Sequence, residues 1–170
     1  MPNKRAPRTE ATPAGHLVEA KLHHVLGYQL AQAAITTASV FMRIVGEPFG
    51  LRPVEFTVLS LVSENPGSSL ARLAQALAVT APNITMWIDR LEERGLVQRE
   101  RSETDRRAQH LNVTPQGHQL VAKATQQLHD GERELLAHLS EGERTILIEL
   151  LHKVACSRPA KPAAGAERKD

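Results

Sequence analysis

The apolar spacing changes period between Ser69 and Pro115, and that change limits the folds open to this chain. Leu70, Leu73, Ala74 and Leu77 recur at helical spacing after Ser69, a residue suited to cap a helix. Ala78 and Val79 separate this short helix from a second, which Thr80 can cap and which holds Pro82 in its first turn. Ile84, Trp87, Ile88 and Leu91 carry the second helix towards Gly95, a helix-stop signal, with Trp87 read as a core anchor. Residues 96–101 and 108–113 are then short and partly alternating around the polar turn 102–107, a pattern that predicts a β-hairpin with an exposed tip. Two short helices joined by a tight turn and followed at once by a hairpin make a winged helix-turn-helix.

Helical spacing also dominates on both sides of this lobe. Over residues 16–45, Leu22, Val25, Leu26, Leu30, Ala33, Ala34, Thr37, Val40, Phe41 and Ile44 predict one long helix, stopped by Gly46 and Pro48. A helix buried around much of its circumference is expected from Pro53 to Asn65-Pro66-Gly67. Thr114 and Pro115 open another, carrying Leu120, Val121, Ala124, Leu128, Leu135 and Leu139, which Gly131 interrupts without having to end. Ser140 with Glu143 forms a capping box for a last helix striped with Ile146, Leu147, Leu150, Leu151 and Val154. The expected fold is therefore mainly α with a small β-wing, a winged helix-turn-helix flanked by N- and C-terminal dimerisation helices. It divides into a disordered tail (1–15), an N-terminal dimerisation helix (16–50), the DNA-binding lobe (51–114), C-terminal dimerisation helices (115–156) and a second disordered tail (157–170). The flanking helices carry more apolar surface than a lobe of ~65 residues needs to cover, which predicts a homodimer, with a monomeric helical bundle as the alternative. Two-fold pairing would set the recognition helices about one DNA turn (~34 Å) apart, matching a palindromic operator.

Composition narrows the setting. Aromatic residues are 3% of a chain that is 41% hydrophobic, so the apolar mass is aliphatic and favours helices. A single cysteine, Cys156, precludes an intrachain disulfide and points to a reducing cytoplasm. No stretch approaches the roughly 18–20 apolar residues of a membrane span, and no apolar signal segment follows the basic N-terminus. The formal charge is +2 and each tail carries a net +2, whereas residues 51–114 hold eight arginines, no lysine and eight acids. Bulk charge thus does not announce nucleic acid, and single arginines must carry the case.

The major groove admits one α-helix whose N-terminal half meets base edges and phosphates. Here that half offers Thr80, Pro82, Asn83, Thr85 and Met86, with Ser69 and Arg90 nearby in sequence. Asn83 is suited to an adenine edge, and the two threonines to phosphates or bases. On the hairpin stand Arg99, Arg101, Asp105, Arg106 and Arg107, where a slender projection can follow a minor groove whose narrowness concentrates negative potential. A charge-balanced, solvated turn is the plainer reading of the same residues, and a protein-binding winged helix is the plainer function. Gly-rich phosphate loops, nucleophile elbows and metal motifs are absent from the sequence, so no enzymatic reading is carried and no cofactor is expected.

The wing residues Asp105-Arg106-Arg107, the segment Val113-Thr114-Pro115-Gln116-Gly117 and the linker Leu91-Glu92-Glu93-Arg94-Gly95-Leu96-Val97 together resemble the MarR (multiple antibiotic resistance regulator) family. Leu73-Ala74-Gln75-Ala76-Leu77 is similar to that family's first helix of the motif, and the resemblance covers residues 20–155. It implies a ligand-responsive DNA-binding regulator, usually a repressor, in which Arg107 enters the minor groove and Asp105 orients it. It also implies a small anionic or aromatic effector where the dimerisation helices meet the lobe, with His23, His24, Tyr28, Phe49, Arg52 and Phe56 as candidates. Metal sensing is disfavoured because His23 and His24 point to different helix faces and no His-x3-His or Cys-x2-Cys pair exists. Redox sensing would fall to Cys156, which reads as an inert thiol at the end of the last helix.

Overall fold

The computed structural model describes residues 11–101 and 109–158, and the side chains of Arg101 and Gln109 are outside that description. Residues 1–10 and 159–170 of the expected tails 1–15 and 157–170, and the wing-tip residues Asp105, Arg106 and Arg107, lie outside the described residues, whereas Ala11, within the expected N-terminal tail, forms a one-residue bridge to Val18. The chain divides between Glu132 and Arg133 into two units.

In the first unit, helix α1 spans Leu26–Phe41, a π-helical turn spans Met42–Gly46 and α2 spans Glu47–Phe49. This corrects the single helix expected over 16–45 at both ends. Residues 19–25 form tight turns, with Leu22 N donating to Glu19 O (2.7 Å) and Val25 N to Leu22 O (2.8 Å). Gly27, a weak helix former, sits in the first turn of α1, and no side chain caps that helix at Val25. At the other end Gly46 and Pro48 do not stop the helix. A proline inside an α-helix clashes with the carbonyl four residues back and withholds a hydrogen bond. The wider π turn just before Pro48, with Glu47 N donating to Met42 O, relieves that conflict. The rod ends instead at Gly50, in the left-handed conformation (φ 59°).

Helix α3 (Pro53–Glu64) starts and stops as its sequence dictates, and Val58, Leu59 and Val62 have no solvent exposure. Helix α4 (Leu70–Leu77) is capped by Ser69, whose hydroxyl accepts from Arg72 N at 3.3 Å. The turn to α5 (Ala81–Glu93) passes through Ala78 in the left-handed region (φ 53°). Thr80 occupies the N-cap of α5 without a side-chain cap, contrary to expectation. A capping hydroxyl accepts from the second or third helical N–H; Pro82 has none, and Asn83 N donates to the Thr80 carbonyl (3.1 Å) instead. Gly95 then takes a left-handed turn (φ 65°) into the hairpin.

Strands β1 (Val97–Arg101) and β2 (Gln109–Val113) pair antiparallel, with Val97 opposite Val113 and Arg99 opposite Leu111. Ser68 adds a one-residue bridge to Leu111, held by Leu111 N to Ser68 O at 3.0 Å. Beneath the sheet Leu59, Val62, Leu73, Ile84, Ile88, Leu91, Leu96 and Leu111 form a continuous core with Phe41, Val45 and Leu51. Helix α6 (Pro115–Leu135) crosses from the first unit into the second and brings Gly117, Ala124 and Gly131 into close packing. Gly131 leaves it unbroken, but it ends before Leu139, which falls in the following turn.

In the second unit, α7 (Glu141–Cys156) opens with the expected capping box. Ser140 N donates to Glu143 (2.9 Å), Glu143 N donates to Ser140 Oγ (3.3 Å), and the first of these bonds holds the Glu143 carboxyl below its ordinary range. Ile146, Leu147, Ile148, Leu150, Leu151 and Val154 are exposed along α7. Among the described residues no helix is long and apolar enough to cross a membrane.

Candidate nucleic-acid interface

Helix α5 is fastened to the core by Ile84, Ile88 and Leu91, all buried, so its opposite face must look outward. Trp87 is half-buried against the same core, as an anchor should be. The outward face forms a shallow, open groove lined by Ala81, Pro82, Thr85, Met86, Asp89, Arg90 and Glu93. Of the residues expected to meet DNA, Pro82, Thr85, Met86 and Arg90 thus share one surface, and Thr80 and Asn83 are exposed at its N-terminal end. Met86 leaves 41% of its area open on this face. Thr85 Oγ1 donates to Ala81 O (3.1 Å), which leaves its lone pairs outward, and Thr80 keeps a hydroxyl free of capping. Ser69, by contrast, is committed to capping α4.

Two arginines behave differently from expectation. Arg99 is only 22% exposed and is gripped by Asp89 and by Glu92, the latter at 2.8 Å from Nη1. The reason is strand alternation: Arg99 stands on the same face as buried Val97 and opposite buried Leu111, the face turned to α5. Its positive charge therefore serves the junction between helix and wing. Arg90, at the groove, also reaches back to buried Glu55 (Nη1 to Oε1 3.4 Å), whose other oxygen accepts the Arg52 N–H (2.9 Å). Arg101 ends β1.

The six effector candidates fall in two places. His23 and Tyr28 gather on Glu19, which is buried and accepts the Tyr28 hydroxyl (2.6 Å) and faces His23 Nδ1 (3.4 Å). That hydrogen bond, with burial behind it, raises the Tyr28 phenol above its ordinary value. His24 packs edge-on to His23 at 5.3 Å. A cluster already built on a carboxylate repels a second anion, so this corner does not fit the anionic half of the expectation. Phe49, Arg52 and Phe56 sit elsewhere: Phe56 against Phe41 (5.7 Å between rings), and Phe49 beneath the Lys123 ammonium (5.8 Å). Arg52 lines a cleft with Met42, Gly46, Gly50, Leu51, Glu55, Arg90, Leu91, Glu93 and Arg94. Cys156 closes α7, exposed, with Sγ 3.5 Å from His152 Nε2.

Sequence reasoning missed three structural features here: the Ser68 bridge, the Arg99 clamp and the bonds from Arg94 to the carbonyls of Phe49 (2.7 Å) and Gly50 (2.8 Å). Alternation through Val97 would have turned Arg99 inward. The other two join residues far apart in sequence and leave no periodic trace.

A tightly turned helix pair, an outward recognition face and a clamped β-wing define a winged helix-turn-helix DNA-binding protein. The family model described as MarR family matches residues 51–108. A protein of Thauera aromatica assigned as a transcriptional regulatory protein for the hcr operon is 33% identical over 147 residues, covering 86% of this chain and 89% of its own. The solved transcriptional repressor CouR, bound to a 23-mer DNA duplex, is 33% identical with a TM-score of 0.74, over 79% of this chain and 95% of its own. The fold is also shared, at 23% identity and a TM-score of 0.71, with Bordetella bronchiseptica BpsR, in a structure addressing regulation of its DNA binding by 6-hydroxynicotinic acid; the match covers 81% of this chain and 97% of that one. The chain belongs to the MarR family of transcriptional regulators and is not an enzyme.

Proposed function

We propose that this chain is a repressor that binds a palindromic operator as a homodimer, with α5 in the major groove and the wing in the adjacent minor groove, and that a small effector releases it. The observation that carries the reading is the outward face of α5, where Pro82, Thr85, Met86 and Arg90 line an open surface while the opposite face is locked into the core. Thr80 and Asn83 extend that face to the helix N-terminus, where N–H groups and the helix dipole favour phosphate. The repressor reading is supported by likeness to CouR. For the effector, the cleft at Arg52 suits a small anion better than the Glu19 cluster does, because arginine fits a carboxylate bidentately and Met42 and Leu51 supply apolar wall.

The wing carries the sharpest test. Arg107→Ala is expected to weaken binding to a duplex selected by the wild-type protein by several-fold to a hundredfold, the equivalent of ~1–3 kcal/mol for a good arginine contact. Affinity of the wild type should also fall steeply with salt, since phosphate contacts release counterions. Unchanged binding by the variant in an anisotropy titration would remove the wing from the interface. A flat salt response would favour a protein-binding module instead.

A further inference from the structure

The first helical rod runs without a break from α1 through the π turn and α2, and its last carbonyls would be orphans. Leu51 N takes one remaining bond, to Gly46 O at 3.1 Å. The carbonyls of Phe49 and Gly50 are taken by a single guanidinium, with Arg94 Nη2 to Phe49 O at 2.7 Å and Nη1 to Gly50 O at 2.8 Å. Arg94 stands at the C-cap of α5. A helix C-terminus carries partial negative charge, so a planar cation with two parallel donors is well matched to it. One turn earlier on α5, Arg90 reaches Glu55 on α3, and Glu55 in turn holds the Arg52 N–H. The C-terminal half of α5 is thereby attached at two points to the junction between the rod and α3.

We propose that Arg94 is a positioning residue for DNA binding: it fastens the recognition helix to the end of the first helical rod and so sets the angle at which α5 enters the groove. The proposal rests on α5 being the helix that meets DNA. The geometry supports a positioning role over direct contact, because both ends of the guanidinium are already occupied by carbonyls of the same chain. Without the fork, the buried face of α5 still holds the helix on the core through Ile84, Ile88 and Leu91, while the constraint at its C-terminal end is reduced to the Arg90–Glu55 pair. Specific contacts suffer from a small rotation, whereas phosphate attraction tolerates it.

The test uses the full chain and two duplexes: one obtained by repeated selection from a random 30-mer pool with the wild-type protein, and a scrambled duplex of equal length and composition. Arg94→Met should weaken binding to the selected duplex roughly tenfold while leaving the scrambled duplex and its salt dependence within about twofold of wild type. Arg94→Lys keeps the charge without the planar fork and should recover only part of the loss. Equal losses on both duplexes, with a salt slope shallower by about one, would make Arg94 a phosphate contact and overturn the proposal. So would unchanged affinity with a lowered melting temperature, which would make it a structural cap alone. Should Arg94→Met not fold, full discrimination by Arg94→Lys would overturn the fork. A wild-type chain that enriches no duplex removes the DNA-contact reading of α5 and the proposal with it, an outcome distinct from loss of discrimination by the variants alone.

Discussion

Gly117 shows how one missing methyl group shapes the lobe. A Cβ there would run into the backbone carbonyl of Leu96 and lie 2.6 Å from Val113 Cγ1, so only glycine lets α6 start this close to the wing's base. Its N–H donates to Thr114 Oγ1 (3.1 Å), and Thr114 Oγ1 donates to Gly95 O (2.7 Å), closing the corner where strand becomes helix. Gly117→Ala should therefore destabilise by about 1–3 kcal/mol, the usual cost of overpacking against a backbone that cannot yield. Gly142, in the first turn of α7, has nothing within 4 Å of such a Cβ. Gly142→Ala should stabilise by up to about 0.5–1 kcal/mol through helix propensity and the unfolded chain. Thermal melts of the two variants should move in opposite directions. These two glycines look alike in the sequence, and only the neighbour across the fold tells them apart.

At the level of elements, the wing is held to the recognition helix by charge as well as by packing. Asp89 and Glu92 stand one turn apart on α5 and share Arg99 of β1, so the base of the hairpin follows the helix. Asp89 is 47% and Glu92 38% exposed, which screens the pairs and limits their contribution to about 1 kcal/mol. Their larger effect is geometric, because a split guanidinium fixes orientation where a lysine would not. Arg99→Met is expected to lower the melting temperature by only a few degrees, yet to weaken binding to the selected duplex several-fold, with Arg99→Lys falling between. A melting loss with unchanged affinity would reduce Arg99 to a packing residue. The expectation that Arg99 faces DNA rested on residue type at a hairpin, whereas the side chain turns to Asp89 and Glu92. Strand parity decides the face, and Val97 was enough to set it.

Across the whole molecule, apolar side chains remain uncovered in each unit. In the first, Leu17, Val18, Leu22, Val25, Leu26 and Ile35 are exposed; in the second, six large apolar residues of α7 are. So many uncovered apolar side chains favour a partner surface. The proposed homodimer should sediment at micromolar concentration with about twice the 18.7 kDa chain mass. Ile148→Glu with Leu151→Glu should shift that species to the monomer and reduce operator affinity, because two half-sites would no longer be bound together. A wild-type chain that sediments as a monomer would remove both the dimer and the palindrome.

The sequence by itself determined the helix-turn-helix, the hairpin that follows it, the helices α3, α6 and α7 and the capping box of α7, and its wing and linker motifs carried the resemblance to the family. Those features are local: caps, proline and glycine positions and apolar period act within a few residues and leave a readable pattern. The inward Arg99 and the uncapped Thr80 were legible in strand parity and in Pro82, whereas the π turn that carries the rod to Gly50, the Ser68 bridge and the Arg94 bonds were decided only in the tertiary structure. The bridge and the Arg94 bonds depend on where a distant backbone arrives. Pro48 is accommodated by a π turn at the end of a long helix, and the first rod ends on carbonyls that an arginine 44 residues away satisfies. Residue type showed which groups could meet DNA; burial and hydrogen bonding decided which of them the fold had already taken.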